Sequence, residues 1–326
     1  MKVLGIGNAL VDILTNLESD AYFEKMGLIK SGMKLINEEQ LMKIIALIEG
    51  MDSKLASGGS ASNTISGLAR MGVDCGFIGK VGVDTYGNFY RDDLINNGVH
   101  PLLTETEIAS GCAMCMITPD GERTMGTYLG AAATLHANDF EQAMFKGYDL
   151  LHVEGYLVQD HDMILTAFKL AKEAGLKISI DLASFNIVEE DLEFFQMLVR
   201  DYVDIVFANE EESFAYTKAT PEKAAELIAA ECEIAIVKKG SKGSIIRRGD
   251  EVVEVGVIKA NCIDTTGAGD LYAAGFLYGY TRNLSLEKCA RIGAVLSGNV
   301  VEVIGPKMST SRWSEIKKLV EEIIAE

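Results

Sequence analysis

The chain has only four prolines, four histidines and one tryptophan in 326 residues. With so little proline there is no Pro-rich linker, and no segment repeats or thins into low-complexity sequence, so one continuous domain over residues 1–326 is expected. No apolar run approaches the ~20 residues that cross a bilayer. The opening Met1-Lys2-Val3-Leu4-Gly5-Ile6-Gly7 is a short apolar strand that turns polar at Asn8 and Asp12, unlike a signal peptide. Positive charge is also in deficit, with 30 Lys and Arg against 48 Asp and Glu, a formal charge of −18 and a pI near 4.7. That balance argues against a nucleic-acid partner, which requires a basic face. The six cysteines, at 75, 112, 115, 232, 262 and 289, lack disulfide-dense spacing. Cys112 and Cys115 form a CxxC, but it sits in a strand-like apolar run with no second pair and no nearby histidine, which argues against zinc or redox chemistry. Reduced thiols in a soluble, cytoplasmic protein without membrane contact are expected.

What the chain does contain is a 48% hydrophobic composition, enough for a substantial core. Short apolar runs at 150–154, 177–181, 204–209 and 234–240 read as strands, and helical periodicity covers 162–174, 189–202 and 221–231 between them. This alternation predicts an α/β fold built on a doubly wound, mostly parallel sheet. Ligands bind such sheets beyond the carboxyl ends of the strands, where Asp181, Asn209 and Gly240 fall. Two stretches, about 13–37 and 104–129, break the alternation, and an Asp120-Gly121 turn between apolar segments suggests a hairpin over 112–127. An amphipathic helix is expected at 311–326.

The densest chemical signal is Asp264-Thr265-Thr266-Gly267-Ala268-Gly269-Asp270, followed at once by a helix-compatible run. Small residues let backbone approach an anion closely, and a helix start turns unpaired N–H groups and its positive dipole end toward it. A carboxylate at the mouth of such an anion hole suggests phosphoryl transfer to a hydroxyl. Asp270 also suits a plain N-cap. A cap, however, requires neither the Gly-Ala-Gly run nor a second aspartate six residues earlier. Gly5-Ile6-Gly7-Asn8-Ala9-Leu10 opens like a dinucleotide fingerprint, but Leu10 stands where the third glycine belongs and no clear helix follows.

The heptapeptide resembles the C-terminal signature of the PfkB/ribokinase family of carbohydrate and nucleoside kinases. Gly58-Gly59-Ser60-Ala61-Ser62-Asn63, continuing through Gly67 and Ala69 to Gly72, resembles its N-terminal signature. Residues 77–87 and Asn209-Glu210-Glu211-Glu212 fit the family's order between them, so the resemblance spans nearly the whole chain. It implies a ribokinase-like fold whose irregular stretches, 13–37 and 104–129, form a small β lid that closes over substrate and excludes water, with a homodimer through that lid as an accompanying expectation.

Carried over residue by residue, the resemblance makes Asp270 the base that accepts the hydroxyl proton, with the amides of Gly267, Ala268 and Gly269 as the anion hole. Asn8 and Asp12 have the spacing of adenosine-kinase-like members and would grip sugar hydroxyls, because a carboxylate accepts two hydrogen bonds at once. Strand-end turn capping is the alternative reading of that pair. Gly58, Gly59 and Asn63 would complete the substrate site, and Arg123 is either a lid cation for the transferred phosphoryl group or a surface arginine. Asn209 and Glu212 have the family's Mg2+ spacing, with the ion held through water. Asn209, Lys238, Gly240, Ser241 and Gly243 would line the ATP site, although Lys238 and Lys239 stand where Thr and Leu are common. Asp264 and Thr266 fall where members often hold a monovalent cation such as K+. The expected substrate is the primary hydroxymethyl group of a ribose-containing nucleoside such as adenosine. The alternatives are ribose, fructose or a keto-deoxy sugar acid and, from another class, a non-catalytic sugar or nucleotide sensor on the same scaffold.

Overall fold

The computed structural model describes residues 1–30, 32–120 and 122–326. A nine-stranded sheet runs in the order Glu251–Val255, Ser244–Arg248, Ile234–Lys238, Ile205–Asn209, Lys177–Asp181, Leu150–Glu154, Val3–Ile6, Cys75–Gly82 and Val99–Thr106. Its pairings are parallel except at the edge where the first three of these strands meet. The central strands are nearly continuous apolar runs because both faces are covered. Ile205 and Phe207 point into one core with the helices Ser60–Arg70, Ala268–Thr281 and Leu286–Val300. Val206 and Ala208 point into the other, shared with His161–Glu173 and Leu192–Asp201. This is the expected doubly wound architecture, and each large side chain so buried contributes roughly 1.5–3 kcal/mol.

The expected helix over 189–202 is two helices, Phe185–Glu190 and Leu192–Asp201, with the break at Asp191 (φ −120°, ψ 30°). Glu189, Glu190 and Asp191 place three acidic side chains at a helix C-terminus, where the dipole disfavours them, whereas the same charge suits the N-terminus of the next helix. Asp191 instead meets His161 Nε2 at 3.1 Å. The C-terminal helix runs Thr310–Ala325, capped by Ser309, and buries Trp313, Ile316, Val320 and Ile323 along one stripe.

A second, five-stranded sheet has the order Met33–Leu35, Arg123–Tyr128, Gly111–Ile117, Leu10–Asn16 and Ser53–Gly58. The hairpin foreseen around 112–127 is the antiparallel pair Gly111–Ile117 and Arg123–Tyr128, with Met114 opposite Gly126. Of its expected Asp120-Gly121 turn, Gly121 lies outside the described residues. Ser53–Gly58 joins this sheet from outside the two irregular stretches, while Val99–Thr106 belongs to the large sheet. Leu10–Asn16 follows Val3–Ile6 after three residues, so Gly7-Asn8-Ala9 forms the corner joining the two sheets. All six cysteines are free thiols. No helix of the described residues is long and apolar enough to cross a membrane.

Candidate active site

Five neighbouring parallel strands, ending at Ile6, Glu154, Asp181, Asn209 and Lys238, deliver their last residues to one edge of the large sheet. A carboxyl edge concentrates function because the strand polarity turns loops and helix N-termini together toward the same crevice. The heptapeptide faces this edge. Gly267 is the N-cap of Ala268–Thr281 in a left-handed conformation (φ 76°), and a Cβ there would stand 2.7 Å from Pro306 Cβ. The Gly267 and Gly269 amides have no hydrogen-bond partner among the described residues. The Ala268 amide, expected in the anion hole, donates instead to the Thr265 carbonyl at 3.1 Å. Its turn geometry thus removes one of the three anticipated donors.

Asp270, in the first turn of that helix, is half-buried. Its Oδ1 accepts from Ser60 Oγ at 2.7 Å and its Oδ2 from Asn63 Nδ2 at 3.0 Å. Burial pushes the Asp270 carboxyl up to about 6, against the two donors that favour the ion. A carboxylate with neutral donors and, among the described residues, no ion-pair partner is suited to take and release a proton near neutrality.

The candidate substrate-side residues Asn8, Asp12, Gly58, Gly59 and Asn63 lie close together. Gly58 and Gly59 allow two close approaches: a Cβ on Gly58 would stand 2.2 Å from Asp12 Oδ1, and one on Gly59 2.2 Å from the Asn8 carbonyl. The second glycine is also strained for any L side chain (φ 89°) and caps Ser60–Arg70. Asp12 is half-buried, and burial raises its carboxyl to about 7, opposed by the nearby Lys307 charge. Asn8 donates its side-chain Nδ2 to Glu154 Oε1 at 2.7 Å, so its Oδ1 is the end left to face a ligand. Asn63 Oδ1 is buried without a partner among the described residues.

Arg123 lies on the second sheet and reaches the heptapeptide. Its Nη1 stands 2.7 Å from Asp264 Oδ2 and donates to Thr266 Oγ1 at 2.9 Å, while Nη2 is buried without a partner among the described residues. The Asp264 carboxylate also accepts from the Thr266 amide and hydroxyl and from the Gly305 amide. Asn209 and Glu212 form a reciprocal capping box at the start of Glu210–Thr217, the amide and Nδ2 of Asn209 donating to the Glu212 carboxylate. Burial and the Asp181 charge raise the Glu212 carboxyl to about 7. Lys238 donates to Asp181 Oδ2 at 2.6 Å. Lys239 pairs with Glu222 and Glu254. Gly240 and Ser241 are exposed in a 3-10 turn that Gly243 closes.

Glu154, Ser60 and Lys307 belong to this constellation and were not anticipated. Glu154, 1% exposed, accepts from the Asn8 amide and Nδ2 and from the Ala61 amide, fastening the corner between the sheets to the N-terminus of Ser60–Arg70. A charged residue closing the apolar run Leu150-Leu151-His152-Val153 at the carboxyl edge was the available signal. Lys307 donates to Ser57 Oγ at 2.8 Å, and burial lowers its pKa despite Asp93 and Asp12 nearby. Nothing local in Pro306-Lys307-Met308 marks it.

The chain is similar to known proteins along its whole length. The crystal structure of adenosine kinase from Sinorhizobium meliloti is 37% identical, covers 98% of this chain and 99% of its own, and superposes with a TM-score of 0.86. A probable sugar kinase protein from Rhizobium etli is 35% identical, with 98% of each chain covered and a TM-score of 0.86. The 5-dehydro-2-deoxygluconokinase of Shouchella clausii is 29% identical over 281 residues, 81% of this chain and 86% of its own. The model of the pfkB family carbohydrate kinases matches residues 33–312, and with the site geometry this shows that the chain is an enzyme of that family, a carbohydrate or nucleoside kinase that uses ATP.

Proposed function

We propose that the chain phosphorylates the primary hydroxymethyl group of a ribose-containing nucleoside of the adenosine type. The observation that carries this reading is the meeting of Asn8, Asp12 and Asn63 beside Asp270 at the joint between the two sheets. Asp12 and the free amide oxygens of Asn8 and Asn63 are acceptors for sugar hydroxyls, and Asp270 takes the proton of the hydroxyl that attacks phosphorus. The Gly267 and Gly269 amides and the free Nη2 of Arg123 meet the charge on the migrating phosphoryl group. The 37% identical adenosine kinase supports the nucleoside assignment.

The residues fit Mg2+ held largely through its own waters. Among the described residues no three His, Cys, Asp or Glu side chains gather into a direct metal site, and the oxygen-only set of Asp181, Asn209 and Glu212 suits a hard ion that keeps its hydration. The ion would offset phosphate charge. The second sheet acts as the lid of a single kinase domain, and its exposed Met33 and Leu35 support a homodimer contact there. K+ at the Asp264 loop would share that carboxylate with Arg123. Six free thiols suit the cytoplasm.

A keto-deoxy sugar acid is the second reading, favoured by the half-buried Lys307 ammonium close to Asp12. ADP release with a panel of adenosine, other nucleosides, ribose, fructose and 5-dehydro-2-deoxygluconate decides between them. Adenosine should give the highest kcat/KM. A preference of about tenfold or more for the sugar acid overturns the nucleoside reading.

A further inference from the structure

Lys238 ends its strand next to Asn209 of the neighbouring strand, and its ammonium donates to Asp181 Oδ2 at 2.6 Å. The Lys238 and Asp181 side chains are only 15% and 8% exposed. Burial opposes the ammonium charge, but Asp181, Glu212 and Asp270 together hold its pKa above the ordinary lysine value. The ammonium also lies close to the heptapeptide: a Cβ built on Gly269 would stand 3.1 Å from Lys238 Nζ. It therefore lies against the open side of a residue whose own amide is free.

The other cations of the site are differently placed. Arg123 is bound to Asp264 and Thr266, and Lys307 to Ser57. A phosphate oxygen received by the Gly269 amide would arrive within hydrogen-bonding range of Lys238, in a crevice already lined by Asp181, Glu212 and Asp270. In a chain of charge −18, holding a triphosphate there demands a local positive group.

Building on the phosphoryl-transfer reading above, we propose that Lys238 is a catalytic cation that rests on Asp181 in the free enzyme and turns to the γ-phosphate when ATP binds. The bond from the γ-phosphorus to the leaving ADP oxygen breaks as the bond to the acceptor hydroxyl oxygen forms. The hydroxyl proton goes to Asp270, and Lys238 exchanges no proton while it accompanies the moving charge. Its exchange of partners would free the Asp181 carboxylate, one of the oxygen groups that would hold a hydrated cation.

The test is equilibrium binding, with Mg2+, of the β,γ-imido analogue of ATP and of ADP to the full chain. Lys238→Met should lose at least about tenfold in affinity for the imido analogue and less than about twofold for ADP, because a charge-assisted contact to the γ-phosphate alone is removed. The double variant Lys238→Met/Asp181→Asn also removes the carboxylate that bonds Lys238 directly and should show the same selective loss, and Lys238→Arg should keep most of the selectivity. Equal weakening of both nucleotides, no weakening, or recovery of wild-type selectivity in the double variant would make Lys238 only a counter-ion for Asp181 and overturn the proposal. Asp270→Asn should retain the wild-type selectivity, so failure of the base assignment is read separately, from its kcat.

Discussion

Asp264 and Asp270 close the two ends of one heptapeptide, and their carboxylates live in opposite surroundings. Asp264 faces the Arg123 guanidinium at 2.7 Å and accepts from three further donors on Thr266 and Gly305. Among the described residues the Asp270 carboxylate receives only the Ser60 hydroxyl and the Asn63 amide, and it is pushed up to about 6 by burial. The first arrangement fixes an ion in place and ties the second sheet to the heptapeptide. The second leaves an ion under-compensated, and so ready to bind a proton. One loop thus separates a pinned carboxylate from a proton-ready one by the number and charge of the donors at each end.

The sharpest way to break this comparison is Asp264→Ala. It leaves the Arg123 guanidinium, whose side chain is 15% exposed, without its charge partner, and a cost of about 3–5 kcal/mol is expected for such a broken pair. Urea unfolding should show the midpoint falling at unchanged slope. A loss under about 1 kcal/mol would mean that the ion pair behaves as a surface contact and pins nothing.

Asp270→Asn should act on rate instead. A fall in kcat of about 10² or more is expected if the carboxylate is the base, without a stability loss of the size seen at Asp264, because the ionised Asp270 is itself a burden to the fold. Full kcat in this variant removes Asp270 from the chemistry. Loss of both rate and stability would make the two ends of the loop alike.

The heptapeptide and the strand–helix alternation were legible in the sequence because each is written locally, in glycine spacing or in apolar periodicity. What Asp270 and Asp264 touch was not. Ser60 reaches Asp270 across 210 residues, Arg123 reaches Thr266 across 143, and Glu154 reaches Ala61 across 93. No short-range pattern carries such pairings. From sequence Arg123 was either a lid cation or a surface arginine, because its ion pair with Asp264 depends on how the second sheet leans over the loop. Ser53–Gly58 escaped notice as a strand because Ser-Lys-Leu-Ala-Ser-Gly has little β propensity and is held by pairing with Leu10–Asn16. The Ala268 amide fell to its own turn, a detail of backbone geometry that residue types do not specify.

The smallest expected effect extends the contrast to the whole crevice through pH. Asp12, Glu154 and Glu212 each have a carboxyl raised by burial to about 7, and Asp270 to about 6, well above the range of an unfolded chain. The folded state therefore binds protons that the unfolded state has released, so stability should decline as pH rises from about 6.5 to 8. His152, buried and lowered to about 4, works the other way, but its charging weakens the fold only below the ordinary histidine value near 6.5. Thermal melts of the free protein should thus give a higher Tm at pH 6.5 than at pH 8. Glu154→Gln should flatten that slope in proportion to its share, at most about 1.4 kcal/mol for each tenfold change in proton affinity between the unfolded and folded chain. The variant keeps an acceptor for Asn8 while removing the titration, so an unchanged slope would assign the pH response to other groups. A Tm that rises toward pH 8 would mean that these carboxylates are compensated as Asp264 is, and the distinction between the two ends of the loop would not extend beyond it.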